Sequence, residues 1–137
     1  MRLNLLLILL SFVLTFYAWQ QNPSFVTRNL AFSTTNLLQG RYWTLITALF
    51  VHANLAHLLG NMLFLYVFGG TLESEVGPGG LATAFFSGGA LSFLFSVLYY
   101  PASALIVGAS AAIFTLAAVA MLVKPLKFSW LLLMPWG

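Results

Sequence analysis

The stretch LAHLLGNMLFLYVFGG at residues 55–70 decides the class of fold. It contains no charged side chain, and its length approaches the about 20 apolar residues that a helix needs to cross a bilayer. Asn54, directly before it, is a residue type that caps the first turn of a helix. The stretch predicts a membrane-spanning helix that begins after Asn54 and carries two polar residues, His57 and Asn61.

The composition supports this interpretation. The chain has 137 residues, of which 61% are hydrophobic and only 5% are charged, whereas a soluble domain carries about 25% charged residues. This balance excludes a soluble enzyme, a disordered tail and a nucleic-acid binder, and the net charge of +3 indicates little about partners. The absence of cysteine excludes disulfides, thiolate nucleophiles and metal sites built on cysteine.

A second apolar run lies at the start of the chain. Residues 3–19 follow Arg2 and end in aromatic side chains that suit a membrane interface. No small-x-small cleavage site follows the run, so a signal peptide is disfavoured. We expect a retained first transmembrane helix within residues 1–20.

More spans are expected towards the end of the chain. The glycine-rich residues 69–80 predict a turn, and residues 81–100 and 108–123 predict two further spans. Residues 128–137 are apolar but have about half the length needed to cross a bilayer. We therefore expect an all-α, polytopic transmembrane helix bundle with four full spans and a truncated fifth, in a chain that is part of a longer protein.

The connection at residues 21–54 is too long and too mixed in polarity for a simple turn. Long structured loops are usually functional, and its arginines and aromatic residues suit the headgroup layer. With four spans, Arg2, Lys124 and Lys127 fall on the opposite side from Arg28 and Arg41. The positive-inside rule then predicts a multi-pass protein of the cell (inner) membrane with its N-terminus in the cytoplasm.

Three polar residues within the expected spans are candidates for a functional site. His57 and Asn61 are four positions apart, so they share one face of a helix. Ser110 lies in the small-residue run GASAA at 108–112, which permits close approach of backbones. Taken singly, the serine could bond to its own helix, and the other two could join helices. Because all three fall in the first two turns of parallel spans, one shared polar pocket is favoured.

Such a pocket suits acyl-transfer chemistry. A serine hydroxyl becomes a nucleophile when a neighbouring base takes its proton, and hydrogen-bond donors from histidine or asparagine stabilise the oxyanion that develops. Ser110, His57 and Asn61 would supply half of a site of this kind.

The motifs resemble those of the rhomboid family of intramembrane serine proteases over about residues 40–114. The matching stretches, in order, are YWTLIT at 42–47, FVH at 50–52, HLLGNM at 57–62, the glycines and Glu73 of residues 69–80, and GASA at 108–111. The order and spacing of these motifs make the resemblance specific.

The resemblance implies roles for five residues. Ser110 would be the nucleophile that attacks a peptide bond in or near a transmembrane segment of a substrate protein. His57 and Asn61 would hold the oxyanion, and Glu73 and Gly108 would be structural. The family uses no metal or cofactor. The implied partners are transmembrane protein substrates and the lipid bilayer, and no oligomeric state is implied.

Three positions depart from the family's pattern. Thr44 stands where the family often has arginine, and Phe114 stands where a tyrosine is common. The catalytic histidine of the sixth helix is missing, and we do not assign His52 or His57 as the base. We therefore expect a serine endopeptidase in the full-length protein and an inactive chain here.

Two other hypotheses about the function stay open. The alternative is a catalytically inactive rhomboid-like protein that binds membrane proteins. A transporter or channel fragment is a third class, disfavoured because the three polar residues carry no charge and no inverted repeat is visible.

Overall fold

The computed structural model describes residues 2–124, and its regular structure is helical. The elements are α1 (Arg2–Trp19), α2 (Pro23–Asn29), α3 (Thr34–Leu38), α4 (Thr44–Thr47), α5 (Leu55–Phe64), a π-helical segment (Leu65–Gly69), α6 (Gly70–Ser96) and α7 (Ser110–Val123). No strand occurs among the described residues, although an isolated bridge joins Phe32 to Ile106. The expected helical class is confirmed for this range. The partial span predicted at 128–137 lies outside it.

Among residues 2–124, two helical stretches are long and apolar enough to cross a membrane: Arg2–Trp19 and Leu55–Ser96. α7 is apolar but has only 14 residues. Many large apolar side chains on these helices point away from the core, including those of Leu9, Val13, Leu63, Phe114 and Leu122. Exposure of this kind suits contact with lipid tails.

The turn predicted at residues 69–80 is wrong in extent. The chain stays helical from Leu55 to Ser96 except at Gly77, which has a φ of 81° that favours glycine. Gly69 does not break the helix. It lies where α1 crosses, and a Cβ at this position would overlap the side chain of Asn4. Glycine here serves close helix packing rather than a turn.

The chain turns back at Gly77, so that the helix after the break runs from one end of the bundle to the other. Before the break, the Glu73 carboxylate accepts hydrogen bonds from the backbone N–H groups of Leu3 and Asn4, both at 3.0 Å. After it, Phe93 stacks on Phe32 with ring centroids 5.3 Å apart. We call the end that contains Glu73 the Glu73 end. The opposite end, with Phe32 and Phe93, is called the Ser110 end because α7 begins there at Ser110.

The connection at residues 21–54 folds against the Ser110 end. Two of its short helices, α2 and α3, begin at side-chain caps: Asn22 accepts from the N–H of Phe25, and Ser33 accepts from that of Asn36. The Trp19 indole at the end of α1 donates to the carbonyl of His52 at 3.0 Å. The connection is therefore an ordered part of the bundle that reaches the start of α5.

Candidate active site

Ser110 is the first residue of α7, and the turn before it is shaped by Gly108. Gly108 has a φ of 110°, in the left-handed region that residues with a Cβ rarely adopt. Its N–H donates to the carbonyl of Ala48 at 2.7 Å, which ties the turn to the loop. The sequence motif GAS thus folds into a fixed entry to α7.

His57 and Asn61 lie on α5, one turn apart. Asn54 caps this helix, as predicted, because its side chain accepts from the His57 N–H at 2.8 Å. The cap fixes where the helix begins. It therefore fixes which face presents His57 and Asn61 to α7.

The structure brings these three predicted residues together. Ser110 Oγ lies 3.1 Å from His57 Nε2 and 3.1 Å from Asn61 Nδ2. The amide oxygen of Asn61 is 3.3 Å away and can accept a hydrogen bond from the serine hydroxyl. The serine hydroxyl is thus surrounded by groups that can donate hydrogen bonds to a developing oxyanion.

Gly108 also makes room for the His57 ring. A Cβ at this position would lie 2.7 Å from His57 Cε1, well inside van der Waals contact. Two independent constraints, the positive φ and the ring contact, therefore require glycine here. This geometry supports the structural role predicted for Gly108.

His52 supports the site in a way that the sequence analysis missed. Its side chain is fully buried, and its Nε2 accepts from the Ala109 N–H at 3.3 Å. Because Nε2 is an acceptor, Nδ1 carries the proton of the neutral ring, and it faces the Phe50 carbonyl at 3.2 Å and Thr15 Oγ1 at 3.3 Å. His52 therefore holds the residue directly before Ser110.

Electrostatics keep His52 in this neutral form. Burial, together with the neighbouring His57, lowers its pKa to about 4, although the hydrogen bond to the Phe50 carbonyl acts to raise it. The two rings meet edge to face with centroids 5.1 Å apart. The only sequence signal for this role was the position of His52 within the FVH motif, five residues before His57.

Glu73 lies away from the site, at the other end of the bundle. Its contacts with the first turn of α1 satisfy N–H groups that have no partner within a helix, in line with the structural role predicted for it. The residues that the structure describes contain no group of three His, Cys, Asp or Glu side chains that could hold a metal ion.

An apolar groove of about 520 Å³ opens beside Ser110 between α5 and α7. Asn61 and Ser110 lie at one end of it, and Phe64, Phe68 and Phe114 form much of its wall. Phe114, which stands where the family often has tyrosine, is three-quarters exposed. The polar site thus borders a surface that suits an apolar polypeptide or lipid.

Comparison with known proteins agrees with these motifs. The family model described as "Rhomboid domain" matches residues 39–137. The chain is 42% identical over 89 residues to Rhomboid-like protein 11, chloroplastic, of Arabidopsis thaliana, a match that covers 65% of this chain and 31% of that protein. It is 31% identical over 86 residues to RHOMBOID-like protein 12, mitochondrial, of the same plant, covering 62% of this chain and 26% of that one.

A third match is shorter. An uncharacterized mitochondrial rhomboid protein of Schizosaccharomyces pombe is 53% identical over 36 residues, which cover 26% of this chain and 9% of that protein. This chain belongs to the rhomboid family. It spans less than a third of the length of the curated relatives that it matches.

The comparisons also bear on location. Family membership and the apolar helices indicate a membrane protein. The matching relatives are chloroplastic or mitochondrial by name, which does not fit the predicted cell (inner) membrane. Positive-inside counting orients a chain across a bilayer but carries no signal for which membrane that is.

Proposed function

We propose that the whole protein is an intramembrane serine endopeptidase that cleaves peptide bonds in or near transmembrane segments of membrane proteins. One observation carries this proposal: His57 Nε2 and Asn61 Nδ2 each lie 3.1 Å from Ser110 Oγ, although α5 and α7 are distant in sequence. A purely structural serine at a helix start needs neither an imidazole nor an amide at this distance.

In this proposal Ser110 attacks the scissile carbonyl, and the carbonyl oxygen becomes an oxyanion. The side chains of His57 and Asn61 turn their N–H groups from the resting serine to this oxyanion. The backbone N–H of Ser110 also helps, because the first N–H groups of α7 have no partner within the helix. No metal or cofactor takes part.

The base that accepts the serine proton comes from another part of the whole protein. His52 cannot act as the base, because its Nε2 already accepts from the Ala109 N–H and burial lowers its pKa. His57 acts as an oxyanion donor in this account, so a further histidine is required, as the family resemblance implies. The 137-residue chain alone is then inactive.

The proposal includes four membrane crossings and a truncated fifth. Contacts at the two ends support the first four crossings, and the truncated fifth lies outside the described residues. α1 runs from Glu73 towards His52, α5 starts near Ser110, and the chain returns after Gly77. Lys124 after α7 lies 3.3 Å from the Glu75 carboxylate, so α7 runs back towards the Glu73 end.

A catalytically inactive rhomboid-like protein that binds membrane proteins is the second candidate. One observation favours it: among residues 2–124, His52 Nε2 is bonded to the Ala109 N–H, and His57, which contacts Ser110, serves in the proposal as an oxyanion donor, so no separate base lies beside the serine. The intact Ser110–His57–Asn61 arrangement favours the enzyme, because a binding protein does not require it.

A fluorophosphonate probe separates the two candidates. We expect the whole protein in detergent to be labelled covalently at Ser110, since the probe reports a serine that is activated by a base. The Ser110→Ala variant is the control for labelling elsewhere. A folded whole protein that is not labelled at Ser110 would favour the inactive binder.

A further inference from the structure

A polar cavity of about 280 Å³ lies in the connection between α1 and α5, separate from the Ser110 site. Two arginines, Arg28 and Arg41, line it together with the hydroxyl and amide side chains of Thr27, Ser33, Asn36 and Ser103. We call it the arginine cavity. Its volume is several times the about 30 Å³ that one water molecule occupies in the liquid, so a small polar group fits.

The hydrogen-bond donors of the arginine cavity are only partly used. One guanidinium nitrogen of Arg41 donates to the neutral amide oxygens of Asn36 and Gln39. A guanidinium has five N–H donors in all, so most of this group remains available. Arg28 lies at the exposed end of α2, and its side chain makes no hydrogen bond or ion pair with another residue in the range 2–124.

No carboxylate side chain among residues 2–124 balances the charge of the cavity. The only acidic residues of the chain are Glu73 and Glu75. Glu73 contacts the first turn of α1, and Glu75 pairs with Lys124, both at the Glu73 end. The arginine cavity belongs to the opposite end, since the Thr35 N–H and hydroxyl beside it bond to the Ala102 carbonyl. Two cations thus share one cavity, and no carboxylate of the described part of the chain lines it.

Exposed apolar and aromatic side chains surround the cavity at the same end. Tyr42 and Trp43 follow Arg41 and are 64% and 49% exposed. Leu38 and Leu105, the latter a lining residue of the cavity, are also exposed. Aromatic side chains of this kind are enriched at the headgroup level of a bilayer, which is the level of the lipid phosphates.

We propose that the arginine cavity binds the phosphate group of a membrane phospholipid. Arginine matches phosphate oxygens with paired N–H donors, and the hydroxyl groups of Thr27, Ser33 and Ser103 add neutral donors. The acyl chains of the lipid lie along the exposed apolar side chains beside the cavity. This proposal is independent of catalysis at Ser110, so failure of one does not affect the other.

Native mass spectrometry of the full 137-residue chain in detergent tests the proposal. The chain is titrated with dioleoyl phosphatidylglycerol, with dioleoyl phosphatidylcholine and with dioleoylglycerol, which has no phosphate. We expect one phosphatidylglycerol to bind most tightly and dioleoylglycerol to bind weakly. The Arg28→Gln/Arg41→Gln variant should bind phosphatidylglycerol at least about tenfold more weakly, since hydrogen bonds to charged groups are lost.

A charge-matched control separates a site from general attraction. The Arg2→Gln/Lys124→Gln variant removes two positive charges at the Glu73 end and should bind phosphatidylglycerol as the unmodified chain does. Arg28→Gln alone changes a side chain without protein partners in the described range, so it should weaken binding with the fold intact. The proposal would be overturned if the two double variants lost affinity for phosphatidylglycerol equally. It would also be overturned if Arg28→Gln lost none.

Inorganic phosphate distinguishes the source of the ligand. If the source is a lipid, millimolar inorganic phosphate should not displace bound phosphatidylglycerol, because it lacks the acyl chains. If inorganic phosphate binds the unmodified chain and excludes the lipid, the lipid assignment is wrong. Binding of dioleoylglycerol as tight as that of phosphatidylglycerol would also contradict a phosphate site.

Discussion

Nε2 of His57 lies 3.1 Å from Oγ of Ser110, although 53 residues separate the two in sequence. The contact depends on glycine at position 108, because any Cβ there would meet the His57 ring. It also depends on Asn54, which sets the start of α5. The site thus forms where α5 and α7 begin, at the same end of the bundle.

Removing the oxyanion donors should slow the reaction of the whole protein without unfolding it. Asn61→Ala should lower kcat by about 10²–10³-fold, the usual effect of losing one such donor, and His57→Ala should act similarly. Initial rates on a transmembrane substrate, with thermal unfolding as a control, measure the effect. If His57→Ala lowers the cleavage rate as much as Ser110→Ala does, then His57 is the base and the oxyanion role is wrong.

Gly108→Ala should impair the site by displacing His57. The positive φ costs an alanine about 1–2 kcal/mol, and the added methyl group presses on the imidazole. Small misplacements of reacting groups can cost about 10²-fold in rate. Thermal unfolding and cleavage rates of the whole protein check both effects.

Gly60→Ala is a matched control for that variant. Gly60 lies inside α5, and nothing lies within 4 Å of its added Cβ. Alanine should stabilise the helix there by up to about 1 kcal/mol and leave the rate unchanged. Equal losses in both variants would mean that glycine at 108 has no special role.

The neutral form of His52 should make the fold sensitive to acid. Its pKa is lowered from 6.5 to about 4, so the unfolded chain binds a proton more readily than the folded one. The stabilisation is therefore complete above pH 6.5 and is lost as pH falls towards 4. Between pH 7 and pH 5 the free energy of unfolding should fall by about 2 kcal/mol from this group.

His52→Gln tests that assignment. Glutamine does not titrate, and its amide oxygen can accept from the Ala109 N–H in place of Nε2. Unfolding followed by circular dichroism at pH 7 and pH 5 should show a smaller pH effect in the variant than in the unmodified chain. An unchanged pH effect would mean that other groups cause it and that His52 does not titrate in this window.

Local patterns were enough to single out the three polar residues that the structure brings together. His57 and Asn61 are spaced by one helical turn, Ser110 lies in a small-residue motif, and Asn54 has the chemistry of a helix cap. These signals depend on neighbours in sequence. Because all three polar residues fall in the first two turns of parallel spans, one shared pocket was predicted. The structure brings the polar residues of α5 and α7 together.

The errors arose where a residue's role depends on distant parts of the chain. Gly69 and Gly70 were interpreted as part of a turn, since the sequence does not reveal that Asn4 of α1 packs against Gly69. Only Gly77 takes the conformation that a turn requires. The acceptor role of His52 was likewise hidden, because it depends on Ala109, 57 residues away.

The nucleophile assignment is tested most directly by cleavage with the whole protein and its Ser110→Ala variant. Both are reconstituted in liposomes with a transmembrane substrate, and cleavage products are followed by gel electrophoresis and mass spectrometry. We predict that the unmodified protein cleaves the substrate and that Ser110→Ala, equally well folded, gives no product. Cleavage at an unchanged rate by the variant would contradict the central claim.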